Sequence, residues 1–286
     1  MTTPSVQPLP HDRVRPLPPG WVRPDLGALV GADAAATVVG LMSARAGGVS
    51  QGVFAACNLG DHVQDDAQAV QRNRETFADH LGAPPVWLQQ VHGDRVVRLT
   101  AADVSAAARG VAPVADGACT TEPGVGCVVM VADCLPLLLA APEGRGVAAL
   151  HAGWRGLAGV GQGMRGGQGI VHSGVQTLCD AASCAPADVT VWLGPCIGPA
   201  HFEVGPDVLE GFGVEPSDAI AHPRFKPHGA GKWLADLPGL ASDVLQALGV
   251  RHVRGGDACT VSDPVRFFSF RRDGRTGRQA AGICLR

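Results

Sequence analysis

Three residues stand where the ends of apolar runs ordinarily carry turn residues: His92 in "LQQVHGDR", Cys134 in "VMVADCLPLLLA" and His151 in "VAALHAGWRG". Two histidines and a cysteine suit Zn²⁺, and three protein ligands leave a fourth position open, the pattern of a catalytic rather than a structural zinc. Copper accepts the same donors. Spacing alone leaves other readings open. Cys134 and His151 could form a nucleophilic dyad, the thiolate activated by the imidazole. His92 could equally be a turn histidine, His151 a strand-end histidine and Cys134 a buried thiol. A third histidine in the same site favours the metal over the dyad.

Other metal chemistries fit poorly. The chain has no C-x₂-C pair, which excludes a structural zinc ribbon. The H-x-E…P-C-x-x-C pattern of zinc nucleobase deaminases is absent, since "GPCIGP" holds only one of its cysteines. None of the 10 histidines forms the H-x-H pair expected of a trinuclear copper cluster. Met130 precedes Cys134 by four residues, about 13 Å along a strand, too far for an axial copper ligand. The nine cysteines are odd in number and irregular in spacing, so they read as reduced thiols. Most of them, Cys57, Cys127, Cys179 and Cys184 among them, are expected to be small buried hydrophobes.

A second set of residues could hold anions. "HAGWRG" leads from a strand toward a helix, so Gly153 and Gly156 can offer backbone N–H groups as a nest. "FRRDGRTGR" gathers Arg271, Arg272, Arg275 and Arg278, most of them read as a solvated hairpin tip. Arg271 alternates with Phe270 and is the one expected to point inward. Arg45 in "SARAGG" and Asn58 in "CNLGDH" are loop residues whose ordinary role is turn chemistry.

The elements that must position these groups follow from the patterning. "AATVVGLMSARAGG" reads as a strand into a Gly-Gly turn. Apolar Ala69, Val70, Phe77 and Leu81 keep helical spacing from about Asp66 to His80, closed by Gly82. "VWLQQVHGDRVVRLT" reads as strand, turn and strand, and short strands are expected at 111–119 and 126–133. Residues 129–151 then form a hairpin with "PEGRG" at its tip. With Ala141 facing Val147, His151 would lie opposite Leu137, three residues or roughly 10 Å from Cys134. Helices are expected near 206–212 and 235–248, and a closing hairpin in "RFFSFRRDGRTGRQAAGICLR". Mixed strands and helices without a regular βαβ rhythm predict one α+β domain, with mixed sheets flanked by helices, over residues 31–286.

Composition narrows the function classes. The chain has 286 residues, 46% hydrophobic and 17% charged, with 39 Gly, 22 Pro and a net charge of −3. That is ample for a full core and gives no electrostatic case for nucleic acid or an anionic membrane. Residues 1–30 form a Pro-rich arm, expected to be loosely held and without the apolar core of a secretory signal. The longest apolar run is interrupted by Asp133 and Pro136 and too short to span a bilayer. A cytoplasmic protein is expected.

In order along residues 40 to 286, "ARAGGVSQGVFAACNLGDHVQDD", "LQQVHG", "VMVADCLPLLLA", "HAGWRGLAGV", "WLGPCIGPAHFEVG" and "FFSFRRDGRTGR" resemble the bacterial laccase-domain proteins. That family, also called multi-copper polyphenol oxidases, is described as purine nucleoside phosphorylases and includes peptidoglycan-editing factors. The resemblance implies one zinc per chain on His92, Cys134 and His151, with copper as the older alternative. It implies phosphate-dependent cleavage of adenosine, inosine and 5′-methylthioadenosine, and adenosine deamination besides. Phosphate would lie against the ribose near the "HAGWRG" amides and Arg271, with Arg45 and Asn58 on the nucleoside. Asp133 and Glu203 are candidates for protonating the leaving base because they flank motif residues. A metal-dependent amidase acting on cell-wall precursors, a copper polyphenol oxidase and a binding protein without turnover are the other classes. The chain departs from the family after "HAGWRG", where "LAGVGQGMRGGQG" carries six glycines in thirteen residues. Each mid-helix Gly costs about 1 kcal/mol relative to Ala, so a flexible loop is predicted over 158–168, with a helix from near Ile170. Such a loop would lie at the rim of the site, either as a lid or as a tolerated surface insertion.

Overall fold

The run Leu135–Ala140 is apolar at every position because both faces of its strand are covered. Leu135, Leu137 and Leu139 face a cluster containing Ile170, Val175 and Leu178, while Leu138 and Ala140 face Val129, Val131 and Ile283. A computed structural model describes residues 16–26, 38–161, 164 and 166–286.

β1 (Val38–Met42) is followed by α1 (Ala67–Leu81), the short strands β2 (Pro85–Val86) and β3 (Val96–Arg98), and α2 (Ala101–Ala107). β4 (Gly117–Thr120), β5 (Gly126–Val131), β6 (Leu135–Ala140) and β7 (Val147–Ala152) then lead into α3 (Trp154–Ala158) and α4 (Ile170–Ala182). The last third holds β8 (Thr190–Leu193), β9 (Glu203–Val204), α5 (Pro206–Gly211), β10 (Phe225–Pro227) and β11 (Trp233–Ala235). α6 (Leu237–Ala247), β12 (His252–Gly255), α7 (Phe270–Asp273) and β13 (Gln279–Leu285) complete it.

A six-stranded sheet of order β12-β8-β6-β7-β4-β3 stacks on a four-stranded sheet of order β1-β13-β5-β2, and both mix parallel with antiparallel pairs. Alternate residues of β5, β6, β7 and β13 fill the space between the sheets. The outer face of the larger sheet packs on α4 and α6, and the outer face of the smaller one on α1. The α+β architecture expected from the patterning is the one observed. No helix among the described residues is long and apolar enough to cross a membrane.

α1 runs as the spacing predicts, with the Asp66 side chain accepting from the Ala69 amide and Gly82 left-handed at φ 81° as its stop. α4 starts at Ile170, also as predicted, because the glycines before it cannot hold a helix. Of the predicted 158–168 loop, residues 162, 163 and 165 lie outside the described residues. Its two ends are pinched together, a Cβ on Gly159 meeting the Gln168 backbone at 2.7 Å.

Four expectations differ from what is observed. The hairpin tip holds four residues rather than five, Ala141 pairing with Gly146, so Ala140 faces Val147 and His151 faces Pro136. The tip tightens through left-handed Glu143 and Gly144. His151 is thereby two residues from Cys134 in register, not three. The closing hairpin is replaced by α7, started by the Ser269 hydroxyl on the Arg272 amide, and β13 pairs instead with β1 and β5. The Gln279 amide takes both backbone groups of Phe268, standing in for the missing ladder. An unforeseen helix, α2, forms on a Thr100–Asp103 capping box. Finally, the Pro-rich arm is not loose over residues 16–26. Trp21 is buried with its indole N–H on the Ala46 carbonyl, Val22 bridges Met42, and Leu26 is buried. One buried indole contributes 150–250 Å² of contact area, enough to seat a segment that proline denies a regular ladder. Residues 1–15 and 27–30 of that arm lie outside the described residues.

Candidate metal centre

His92 sits in the turn between β2 and β3, Cys134 in the turn between β5 and β6, and His151 in β7. All three ligand atoms lie within 4.8 Å of one another, the one such group of three among the described residues. His92 Nε2 is 3.8 Å from Cys134 Sγ, and the two imidazole rings stand nearly perpendicular at 4.7 Å between centroids. His151 shares its strand face with Val147 and Ala149, so it points into the space between the sheets, at their open end.

The two turns are bent to bring the ligands in. His92 and Asp133 are left-handed, at φ 60° and 97°. Asp133 accepts from the Thr260 hydroxyl and from the Arg271 amide at 2.6 Å, and its carbonyl accepts from the Ile197 amide, tying three distant loops to the turn that carries Cys134. Gly153 closes the centre from below. A Cβ there would lie 2.9 Å from His92 Cδ2 and 3.2 Å from Cys134 Sγ.

Asp116, fully buried just before β4, joins two ligands. Its carboxylate accepts His151 Nδ1 at 2.8 Å and the amides of Val91, His92 and Gly93 at 3.0, 2.9 and 2.7 Å. The bond to Nδ1 leaves Nε2 of His151 available to a metal, the arrangement in which a carboxylate fixes the tautomer and orientation of a metal-bound imidazole. Burial would raise the Asp116 carboxyl, but the hydrogen bond and charge of His151 and the amides outweigh it and hold it below the ordinary range. Burial likewise opposes the Cys134 thiolate, yet the charge of His151 and hydrogen bonds from both histidines bring its pKa down to about 6. Burial lowers the His151 pKa, and the charge of Cys134 with the Asp116 hydrogen bond raises it to about 9.

These donors fit a zinc ion. Ligands at tetrahedral zinc distances are roughly 3.3–3.6 Å apart. The His92–Cys134 pair, at 3.8 Å, needs only a few tenths of an ångström of closure. With its pKa lowered to about 6, Cys134 favours at neutral pH the thiolate that metal binding requires. Met130 Sδ is turned to the Arg74 guanidinium at 3.9 Å, so it offers no axial ligand to copper.

The family described as multi-copper polyphenol oxidoreductase laccase matches residues 39–286. The chain belongs to this laccase-type family. Among its relatives are a purine nucleoside phosphorylase of Pseudomonas aeruginosa, 42% identical over 93% of this chain and 98% of its own. Another is the purine nucleoside phosphorylase YfiH of Escherichia coli, 42% identical over 87% and 94%. A crystal structure of a Neisseria meningitidis protein superposes with a TM-score of 0.78 at 40% identity, covering 93% of this chain and 99% of that one. YlmD of Geobacillus stearothermophilus gives 0.77 at 33%, covering 90% and 94%.

In this laccase-type chain the three ligands open into a cavity of about 990 Å³. Trp87, Phe202 and Phe270 form its apolar walls, and Arg74, Arg155, Arg271 and Arg278 its cationic ones. Arg271 lines the cavity but is exposed rather than turned inward, and it lies in a helix rather than a strand, with Nη1 on the Glu203 carbonyl. Arg45 and Asn58 are not brought to the cavity. Arg45 reaches the Ala55 and Pro264 carbonyls and lies over Phe268. Asn58 is fully buried and its amide is consumed by Gly60, Asp65 and the Arg278 amide, which leaves nothing for a nucleoside. Asp133 lines the cavity with both carboxylate oxygens engaged, and Glu203 faces His228 at 3.6 Å instead. Gly156 is buried against the His92–Gly93 turn, a Cβ meeting Gly93 O at 2.8 Å, so it serves packing rather than an anion nest. Among the described residues of the Gly-rich loop, none lines the cavity.

Asp116, Arg155 and Arg278 are the residues that sequence reasoning missed. "VADGAC" carries Asp116 at the start of an apolar strand, opposite the strand that bears His151, and that position was the available signal.

Proposed function

We propose that the chain is a zinc-dependent purine nucleoside phosphorylase, acting on adenosine, inosine and 5′-methylthioadenosine with inorganic phosphate, and deaminating adenosine at the same centre. The observation that carries this reading is the placement of His92, Cys134 and His151 in one cavity whose walls divide into aromatic rings and guanidinium groups. Aromatic faces suit a purine ring, and guanidinium groups suit a phosphate. The names of relatives at 42% identity support the same reading.

A zinc ion held by His92, Cys134 and His151 would supply positive charge and Lewis acidity. The remaining work falls to the chain. Asp116 keeps His151 oriented and clamps the turn of His92. The rings of Trp87, Phe202 and Phe270 exclude water and give the base a surface to stack on. The guanidinium groups on the cavity wall draw phosphate to the ribose. In phosphorolysis a phosphate oxygen bonds to C1′ as the C1′–N9 bond breaks, and the base leaves with that electron pair and takes up the proton that the hydrogen phosphate gives up.

The test is a product analysis of purified, zinc-loaded protein. Adenosine with phosphate should give adenine and ribose 1-phosphate, with inosine reporting deamination. Free ribose without a phosphate requirement would make it a hydrolase. Release of an amino acid from a peptidoglycan precursor would make it an amidase, and phenol oxidation with copper an oxidase. No free base under any condition overturns the reading.

A further inference from the structure

Four arginines line the cavity, and they are not equivalent. Arg74 is already ion-paired: its Nε donates to the Leu59 carbonyl, its Nη2 meets Asp61 at 3.1 Å, and it lies over Trp87. Arg271 is exposed, with Nη1 on the Glu203 carbonyl and the guanidinium over Phe202. Arg155 is exposed and lies over Trp154.

Arg278 differs. It is half-buried, and Nη1 is folded back onto the carbonyls of Thr276 and Gly277 at 3.1 and 3.0 Å. Among the described residues nothing takes its Nε–H or Nη2, and no carboxylate lies within ion-pair distance. That edge carries two parallel N–H donors, the fork that binds an oxyanion bidentately. Because Gln279 lies opposite Val131, Arg278 comes beside the Ala132–Cys134 turn. The charges of Cys134 and Asp133 act on it, against the burial that disfavours its own charge.

The side chain is held by the loop that the sequence marks as "CNLGD". Asn58 Oδ1 accepts the Arg278 amide at 2.8 Å, and the Leu59 amide donates to the Arg278 carbonyl at 3.0 Å. The stem of Arg278 crosses Gly60, where a Cβ would lie 2.8 Å from Arg278 Cγ.

We propose that Arg278 is the phosphate-binding residue of this centre, taking inorganic phosphate on its Nε–H and Nη2 edge, with Asn58 and Gly60 as positioning residues. This rests on the phosphorylase reading and moves the anion from Arg271 to a less exposed fork beside the metal ligands. The thiolate and carboxylate nearby are compatible with an anion. Both Asp133 oxygens already accept hydrogen bonds, from the Thr260 hydroxyl and the Arg271 amide, and metal binding would consume the charge of Cys134.

The experiment is calorimetric titration of inorganic phosphate into zinc-loaded wild-type protein, R278Q, R278K, R271Q and G60A, with steady-state KM for phosphate and for inosine on the same samples. R278Q should weaken phosphate binding roughly ten- to hundredfold, the span of hydrogen bonds to a charged group, with zinc content and inosine KM unchanged. R278K should fall between, since it keeps the charge and loses the fork. G60A should raise the phosphate KM and leave the inosine KM alone, a split that a general packing defect would not give. R271Q should weaken phosphate binding less than R278Q does. Wild-type phosphate affinity in R278Q, or its loss in R271Q alone, overturns the assignment. Phosphate bound through Arg278 in a protein that cleaves no nucleoside would sink the phosphorylase reading and leave this one standing. Phosphorolysis with an unchanged phosphate KM in R278Q would do the reverse.

Discussion

Asp116 Oδ1 lies 2.8 Å from His151 Nδ1 and 2.9 Å from the amide of His92, so one oxygen atom ties together the two histidines of the centre. The ligand geometry is therefore set by a residue that cannot itself touch the metal through that oxygen.

Asp116→Asn keeps the volume of the side chain but turns one acceptor into a donor facing amide N–H groups. Zinc affinity should drop about 10- to 100-fold, the usual cost of losing the partner of a ligating histidine. Competition with a chromophoric chelator measures it, and an unchanged affinity would show that the centre is held by its turns alone.

Zinc binding should depend on pH with a definite sign. Between the Cys134 pKa of about 6 and the His151 pKa of about 9, the metal-free site is a thiolate beside an imidazolium. Binding displaces the His151 proton, so affinity should rise roughly tenfold per pH unit across that window. Below pH 6 the slope should steepen as Cys134 also takes up a proton, and above 9 it should flatten. Calorimetry at pH 7.5 in buffers of different ionisation enthalpy should report release of about one proton.

Gly153→Ala should disturb the centre more than the fold. Gly153 has an ordinary φ of −71°, so no backbone conformation is forbidden to alanine there. The new methyl group must push on His92 and Cys134. Overpacking of this kind costs about 1–3 kcal/mol, and most of it should appear as lost zinc affinity rather than lowered Tm.

Asn58→Ala should act on stability. Its buried amide satisfies the Gly60 and Arg278 amides, and removing it strands those donors at about 1–3 kcal/mol. Denaturant unfolding should show the loss, while the inosine KM stays near wild type. A raised inosine KM in a protein of normal stability would return Asn58 to the nucleoside.

The three donors were legible as metal-ligand candidates because they stand at the ends of apolar strands, but their spacing left a Cys–His dyad and ordinary turn roles open, and the family resemblance favoured the metal. The helix over 67–81 and the start at Ile170 were legible because capping and glycine chemistry act within a few residues. The hairpin register was not, since one residue at the tip moves every pairing and the tip's left-handed Glu143 leaves no compositional mark. Asn58 was misread for a related reason. A polar residue in a glycine-containing loop looks available, and only the fold reveals that "CNLG" packs under the last strand. Arg278 was passed over among four arginines because what sets it apart from Arg271 is its withdrawal from solvent beside the Cys134 turn, which only the fold creates.

His92 holds left-handed backbone that glycine or asparagine would adopt at lower cost. Selection of variants for heat resistance alone should therefore drift toward those residues at this position, gaining melting temperature while erasing the chemistry. In an engineering campaign it is the position to fix before any library is built.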